Sequence, residues 1–173
     1  GVLAIARAKA EEVAAAHPEA ELIINVQGDE PLIEPDLIDA LAAAFEEEPE
    51  LQMATVKSPM TDENEMRNPN NVKVVTDKEG YALYFSRSLL PYPRENTGVT
   101  VYKHIGIYAY RRDFLLQYAR MEPTALEQTE SLEQLRALEN GYKIKVIATD
   151  FRFVGVDTPE DLAEVNRLYK ERL

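Results

Sequence analysis

The sequence predicts a layered α/β domain, and three observations carry that prediction. Helix-forming and apolar extended segments alternate along the first third of the chain. The segment LIINV is apolar almost throughout, the pattern of a parallel strand covered on both faces. Further on, strand-like segments flank an Asp-Lys-Glu-Gly turn, which adds a β-hairpin to the layered core. At 173 residues the chain is long enough for one domain with a sizeable core. Its 45% apolar fraction, with nine Tyr and five Phe, is a globular composition.

Taken in order, residues 2–16 are Ala-rich, with Val2, Ile5, Ala6, Ala10 and Val13 at helical spacing. They predict a first helix that His17-Pro18 ends, since a residue before proline avoids the α region. Residues 22–26 predict a strand. Pro35 opens a second helix at about Asp36, with Leu37, Ile38, Leu41 and Phe45 as its apolar stripe. Residues 51–56 predict another strand, so the opening order is αβαβ. After Asn68-Pro69-Asn70, Val72 and Val74 on one side and residues 82–85 on the other flank the turn at 77–80. A Pro-rich polar loop over 91–98 precedes an aromatic strand at about 102–110. Helices are predicted over about 112–120 and 130–140, the second closing on Asn140-Gly141. Residues 143–148 alternate as a strand. Thr158-Pro159-Glu160-Asp161 opens a last helix, with Thr at the N-cap and Pro at the first helical position. No repeat or linker interrupts this pattern, so residues 1–173 read as a single domain. The chain begins at Gly1 in mid-helix, without Met or a capping residue, and is expected to lack an N-terminal part.

Composition narrows the function. Thirty-one acidic against nineteen basic residues give a net charge of −12, which argues against a nucleic-acid binder. Nucleotides remain open, because Mg²⁺ mediates between acidic side chains and phosphates. The absence of Cys removes thiolate nucleophiles, disulfides and Cys-based zinc sites. Two His argue against a His-rich metal centre. With no apolar run approaching roughly 18 residues and no signal peptide, a cytoplasmic protein without a membrane partner is expected.

Asp29 lies three residues past the strand at 22–26, and in open α/β sheets ligands bind beyond the carboxyl ends of strands. A carboxylate there, beside Gly28, suits a hard divalent cation or simply a solvated turn. Asp157 repeats the pattern after Gly155 and just before a capped helix, where it either joins Asp29 on one ion or supports the helix entrance. His104 and Tyr108, four apart on a predicted strand with Gly106 between, share a face. They frame a notch for a small molecule or pack as core. Arg87, at the end of the second hairpin arm, is expected to pair with a carboxylate from the protein or from a substrate. Glu127, Glu130, Glu133 and Gln134 crowd a helix start, where Glu routinely compensates the helix dipole.

Together, NVQGDEPLI, NPNNVKVVTDKEGYALYFSRSLLP, KHIGIYAYRRDFL, LEQTESLEQLRALENGYKIKV and GVDTPEDL, in this order, resemble the 3-deoxy-manno-octulosonate cytidylyltransferases (CMP-Kdo synthetases) over about residues 21–165. The resemblance implies a Rossmann-like nucleotidyltransferase fold with a mixed, mostly parallel sheet and an inserted β-hairpin region. It implies a homodimeric enzyme that uses Mg²⁺ to join CTP and Kdo into CMP-Kdo and pyrophosphate, for lipopolysaccharide synthesis. By position, Asp29 and Asp157 match the catalytic Mg²⁺ ligands of that family. Gln27, Arg87, His104, Tyr108, Glu133 and Gln134 match its Kdo pocket. The family's glycine- and lysine-containing nucleotide loop has no counterpart ahead of Gly1, so this chain alone is expected to be inactive. Two alternatives stand beside this reading. One is a cytidylyltransferase for another sugar acid such as an amino-Kdo. The other is a non-catalytic sugar-acid-binding fragment.

Overall fold

The first apolar segment is a strand and not the start of a helix. In the computed structural model, which describes residues 2–6, 10–26, 35–149 and 167, β1 (Val2–Ala6) precedes a short helix α1 (Ala10–Ala16). VLAIA carries no polar position, so it suits a strand buried from both sides as well as a helix turn. What decides is pairing: β1 runs parallel to β2 (Leu22–Val26), with Val2 opposite Leu22 and Ala6 opposite Val26.

The chain continues through α2 (Pro35–Glu47), β3 (Met53–Met60), α3 (Glu63–Arg67), β4 (Lys73–Thr76), β5 (Ala82–Ser86) and β6 (Val101–Arg111). It then forms α4 (Arg112–Ala119), α5 (Ala125–Glu130), α6 (Leu135–Glu139) and β7 (Ile144–Ala148). One mixed seven-stranded sheet results, ordered β1-β2-β6-β3-β7, with β4 on β6 and β5 on β4. Among the described strands β1–β2 and β3–β7 pair in parallel, while β6 runs antiparallel to β2, β3 and β4. The sheet is mixed, as expected, but the expected parallel majority is not met among these pairings. The cause is β6, a long central strand that enters from the hairpin side and so runs against its neighbours.

The hairpin forms at the expected place. Asp77 turns the chain by accepting at Oδ1 from the amides of Glu79 and Tyr81, and Gly80 takes φ 89, which a side chain disfavours. Along one edge β6 pairs with β3 over nearly its whole length. Its other edge is shared: β2 takes 107–111 and β4 takes 102–103. Among the described residues that edge has no strand partner at 105–106, between the two.

Helices cover both faces. On one, Leu37, Leu41 and Phe45 of α2 pack on Leu22, Ile24, Ala54, Val56, Ile105, Ile107 and Ala109. Each large apolar side chain buried there contributes about 1.5–3 kcal/mol. On the other, Phe114, Leu115 and Tyr118 of α4 and Leu135 and Ala137 of α6 pack on Ile23, Met53, Tyr108 and Tyr110. The single helix expected over 130–140 is instead two short ones. Ser131 adopts a left-handed conformation (φ 54) that ends α5, and α6 starts at Leu135. Arg136 then donates to both carboxylate oxygens of Glu127 (2.6 and 2.8 Å), fastening α6 to α5. The helix expected from Thr158 lies outside the described residues.

Candidate active site

Strand alternation explains the site. On the α4/α6 face, β2 presents Ile23 then Asn25, β3 presents Met53 then Thr55, and β6 presents Tyr110, Tyr108 and His104. Ile23, Met53 and Tyr110 belong to the core. One step toward the carboxyl ends of β2 and β3 the row turns polar: Asn25, Tyr108 and Thr55 stand side by side on three neighbouring strands. Asn25 and Thr55 are buried although they are polar. This row marks where core gives way to site.

His104 lies next to the gap at 105–106, beyond a bulge that puts Gly106 and Ile107 between Tyr108 and Ile105, the β6 partners of Thr55 and Val56. Thr55 fills the irregularity. Its hydroxyl donates to the Ile107 carbonyl at 2.7 Å and lies 2.8 Å from His104 Nε2. Since that hydroxyl proton is committed, Nε2–H must be the donor to Thr55, and Nδ1 keeps its lone pair. The Gln134 amide donates to Nδ1 at 3.5 Å. Burial lowers the His104 pKa to about 3. The ring is therefore a neutral, oriented hydrogen-bonding group, not a base near neutral pH. Its ring lies 5.4 Å from Tyr108 and 4.9 Å from Phe85, edge to face.

Among the described residues, the protein partners of the Arg87 guanidinium are not carboxylates. It donates to main-chain carbonyls: Nε to Glu130 (2.7 Å), Nη1 to Pro69 (2.9 Å) and Nη2 to Ser131 (3.3 Å). Two of those carbonyls lie where α5 ends, the position at which a cation complements the helix dipole. The carboxylate of Glu130 accepts instead from the Arg87 amide (2.8 Å), Ser86 Oγ (2.7 Å) and Tyr84 Oη (2.8 Å). Burial opposes ionisation of Glu130, but these hydrogen bonds outweigh it and hold the carboxyl below its usual range. Lys73, fully buried, donates to the carbonyls of Asn68 and Asn71. Burial lowers its pKa, as does the charge of Arg87, with Glu130 acting against both. Two cations beside one carboxylate leave a local excess of positive charge, which suits an anionic ligand.

The structure thus gathers His104, Tyr108 and Gln134 into one cluster, with Arg87 tied to the turn that carries Glu133 and Gln134. The Glu133 carbonyl accepts from Tyr118 Oη at 2.7 Å, which holds that turn on α4. Gln27, Asp29 and Asp157 lie outside the described residues. Thr55 and Asn25 belong to the neighbourhood and were not singled out from sequence, and Glu130, named there only among the carboxylates at a helix start, anchors the Arg87 turn. For Asn25 and Thr55 the signal was present as a polar residue two positions after a core residue on each strand. Among the described residues no group of three His, Asp or Glu side chains could hold a metal ion. No helix among them is long and apolar enough to cross a membrane.

The α/β domain with its mixed sheet is that of a nucleotidyltransferase. The chain belongs to the cytidylyltransferase family, whose sequence model matches residues 6–144, and within it to the 3-deoxy-manno-octulosonate cytidylyltransferases. The enzyme of that name from Fusobacterium nucleatum is 54% identical over 160 residues, which cover 92% of this chain and 65% of that protein. Its counterpart from Geotalea daltonii is 50% identical over 169 residues, covering 91% and 67%. A solved structure of CMP:2-keto-3-deoxy-manno-octonic acid synthetase complexed with CTP superposes with a TM-score of 0.84 at 38% identity, over 95% of this chain and 68% of that one. The chain thus spans about two thirds of the length of these relatives.

Proposed function

We propose that the protein containing this chain joins CTP and Kdo into CMP-Kdo and pyrophosphate, acting as a cytoplasmic homodimer that supplies lipopolysaccharide synthesis. The observation that carries this reading is the cluster of His104, Tyr108 and Gln134, with Arg87 tied to the turn that carries Gln134. A polyhydroxylated acid needs such a mixture of oriented hydrogen-bonding groups and positive charge. The relatives described above are named for cytidylyl transfer to this sugar acid, and one of them is complexed with CTP. His104, Tyr108, Gln134, Glu133 and Gln27 orient the hydroxyls, and Arg87 faces the acid. The 2-hydroxyl of Kdo attacks the α-phosphorus of CTP in line, and pyrophosphate leaves with the broken bond's electrons. Positioning and charge neutralisation dominate such a reaction.

Asp29 and Asp157 are the residues that would hold Mg²⁺; hard carboxylate oxygens suit this ion, and Asp29 follows β2 by three residues. Bound there, the ion supplies neutralisation of phosphate charge and a lowered pKa for the attacking hydroxyl. Exposed apolar side chains on and after the hairpin, Leu83, Tyr92 and Val99, support the homodimer. In the intact protein Asp29→Asn and Asp157→Asn should each reduce turnover by roughly a hundredfold or more while the circular dichroism spectrum stays unchanged. Near-wild-type turnover of either variant with Mg²⁺ defeats the ligand assignment, and a monomer by sedimentation equilibrium defeats the homodimer.

A further inference from the structure

Asn25 is the one polar side chain in the row across β2, β6 and β3 whose oxygen the structure leaves idle. Only 4% of its surface is exposed, and its Oδ1 has no hydrogen-bond partner. The other buried, unpartnered side-chain oxygen among the described residues, Thr124 Oγ1, sits at the N-cap position of α5, at the far end of that helix from Glu130. Asn25 is different because of where strand alternation puts it. Leu22 and Ile24 face α2, whereas Ile23 and Asn25 face the side of Tyr108 and His104. Asn25 is paired directly with Tyr108, and Tyr108 is paired on its other side with Thr55. Thr55 spends its hydroxyl on Ile107 and His104. Among the described residues the Asn25 Oδ1 has no such use.

A buried amide oxygen without a donor is unfavourable, so it persists where a ligand supplies the donor. A strand whose neighbours are Leu22, Ile23 and Ile24 would accept an apolar residue at this position more readily. We infer that Asn25 is a further substrate-binding residue, whose Oδ1 accepts a hydrogen bond from a hydroxyl of the sugar acid. This rests on the proposed pocket around His104 and Tyr108, and extends it one strand outward to β2. The acid is favoured over the nucleotide because Asn25 adjoins Tyr108, whose ring meets that of His104. An acceptor at that point also discriminates: a sugar acid lacking the matching hydroxyl would leave the amide unpaired in the complex as well.

The test is Asn25→Leu, nearly isosteric, made in the intact protein and read by two independent measurements. The first is thermal unfolding without substrate. Removing an idle acceptor should leave Tm unchanged or raise it; a lowered Tm shows that the amide already serves the fold and overturns the inference. The second is steady-state kinetics with CTP and Kdo. KM for Kdo should rise about tenfold while KM for CTP stays within about twofold. An unchanged KM for Kdo, or a rise in KM for CTP instead, overturns it. If the leucine variant fails to fold, Asn25→Ala is read in the same way. Wild-type protein that does not turn over Kdo marks failure of the functional reading, and the Tm comparison then still decides whether the amide is idle.

Discussion

At the scale of single residues, a chain of hydrogen bonds organises the site: Gln134 to His104, His104 to Thr55, Thr55 to the Ile107 carbonyl. It fixes one tautomer, and burial holds the imidazole neutral. The consequence for stability has a definite sign. His104 has its pKa lowered by burial from 6.5 to about 3. In the unfolded chain it takes up a proton near pH 6.5, whereas in the folded protein it does not until about pH 3. Stability from this group is therefore complete above about pH 6.5 and is lost as pH falls, by up to about 1.4 kcal/mol per pH unit. Urea unfolding of the wild type between pH 7 and pH 4 should show this slope, and His104→Gln should lack it; equal slopes contradict the buried neutral ring. His104 and Tyr108 were legible because a period of two put them on one face with a glycine between. Gln134 was not, since no local pattern joins it to His104 thirty residues away; only the resemblance pointed there. Asn25 and Thr55 escaped notice because a polar residue in a short apolar strand reads as an interruption. Here it marks the edge of the core.

Among the elements, α2 and the hairpin were readable because their signals are local: an apolar stripe at i, i+4 and i+8, and an Asp-Gly turn. β1 was not, because five apolar residues fit either period and only the parallel partner β2 settles the matter. The break between α5 and α6 was hidden for a related reason. Glu130 looks like an ordinary helix residue, yet its carboxylate gathers donors from Tyr84, Ser86 and the Arg87 amide. Burial, then the bond to Glu130, pushes the Tyr84 phenol up to about 12. This junction joins β5 to the turn that carries Glu133 and Gln134. Glu130→Ala should leave three donors without an acceptor and destabilise the intact protein by roughly 1–3 kcal/mol. It should also raise KM for Kdo, since the turn loses its tether. Urea midpoints and kinetics check both, and an unchanged midpoint would show that the junction is decorative. Glu48 and Lys145 offer a contrast. Their ion pair (2.9 Å) ties α2 to β7 but is partly solvated, and such pairs contribute only about 0–1 kcal/mol.

Over the whole molecule, one topological fact positions the site. β6 runs antiparallel through the sheet and shares one edge between β2 and β4, so among the described residues that edge has a gap at 105–106. The fold class was readable from the order of elements, but this gap was not, because it depends on which distant strands compete for one edge. The polar row lies beside the gap, and Arg87 is tied to the turn that carries Gln134. We propose that these groups hold a sugar acid against an activated nucleotide. The direct test is product analysis with the intact protein, CTP, Mg²⁺ and a panel of sugar acids. CMP-Kdo and pyrophosphate should appear in equal amounts, with Kdo preferred by kcat/KM over acids that lack its hydroxyl pattern. No CMP-Kdo, or a higher kcat/KM with another acid of the panel, would contradict the account.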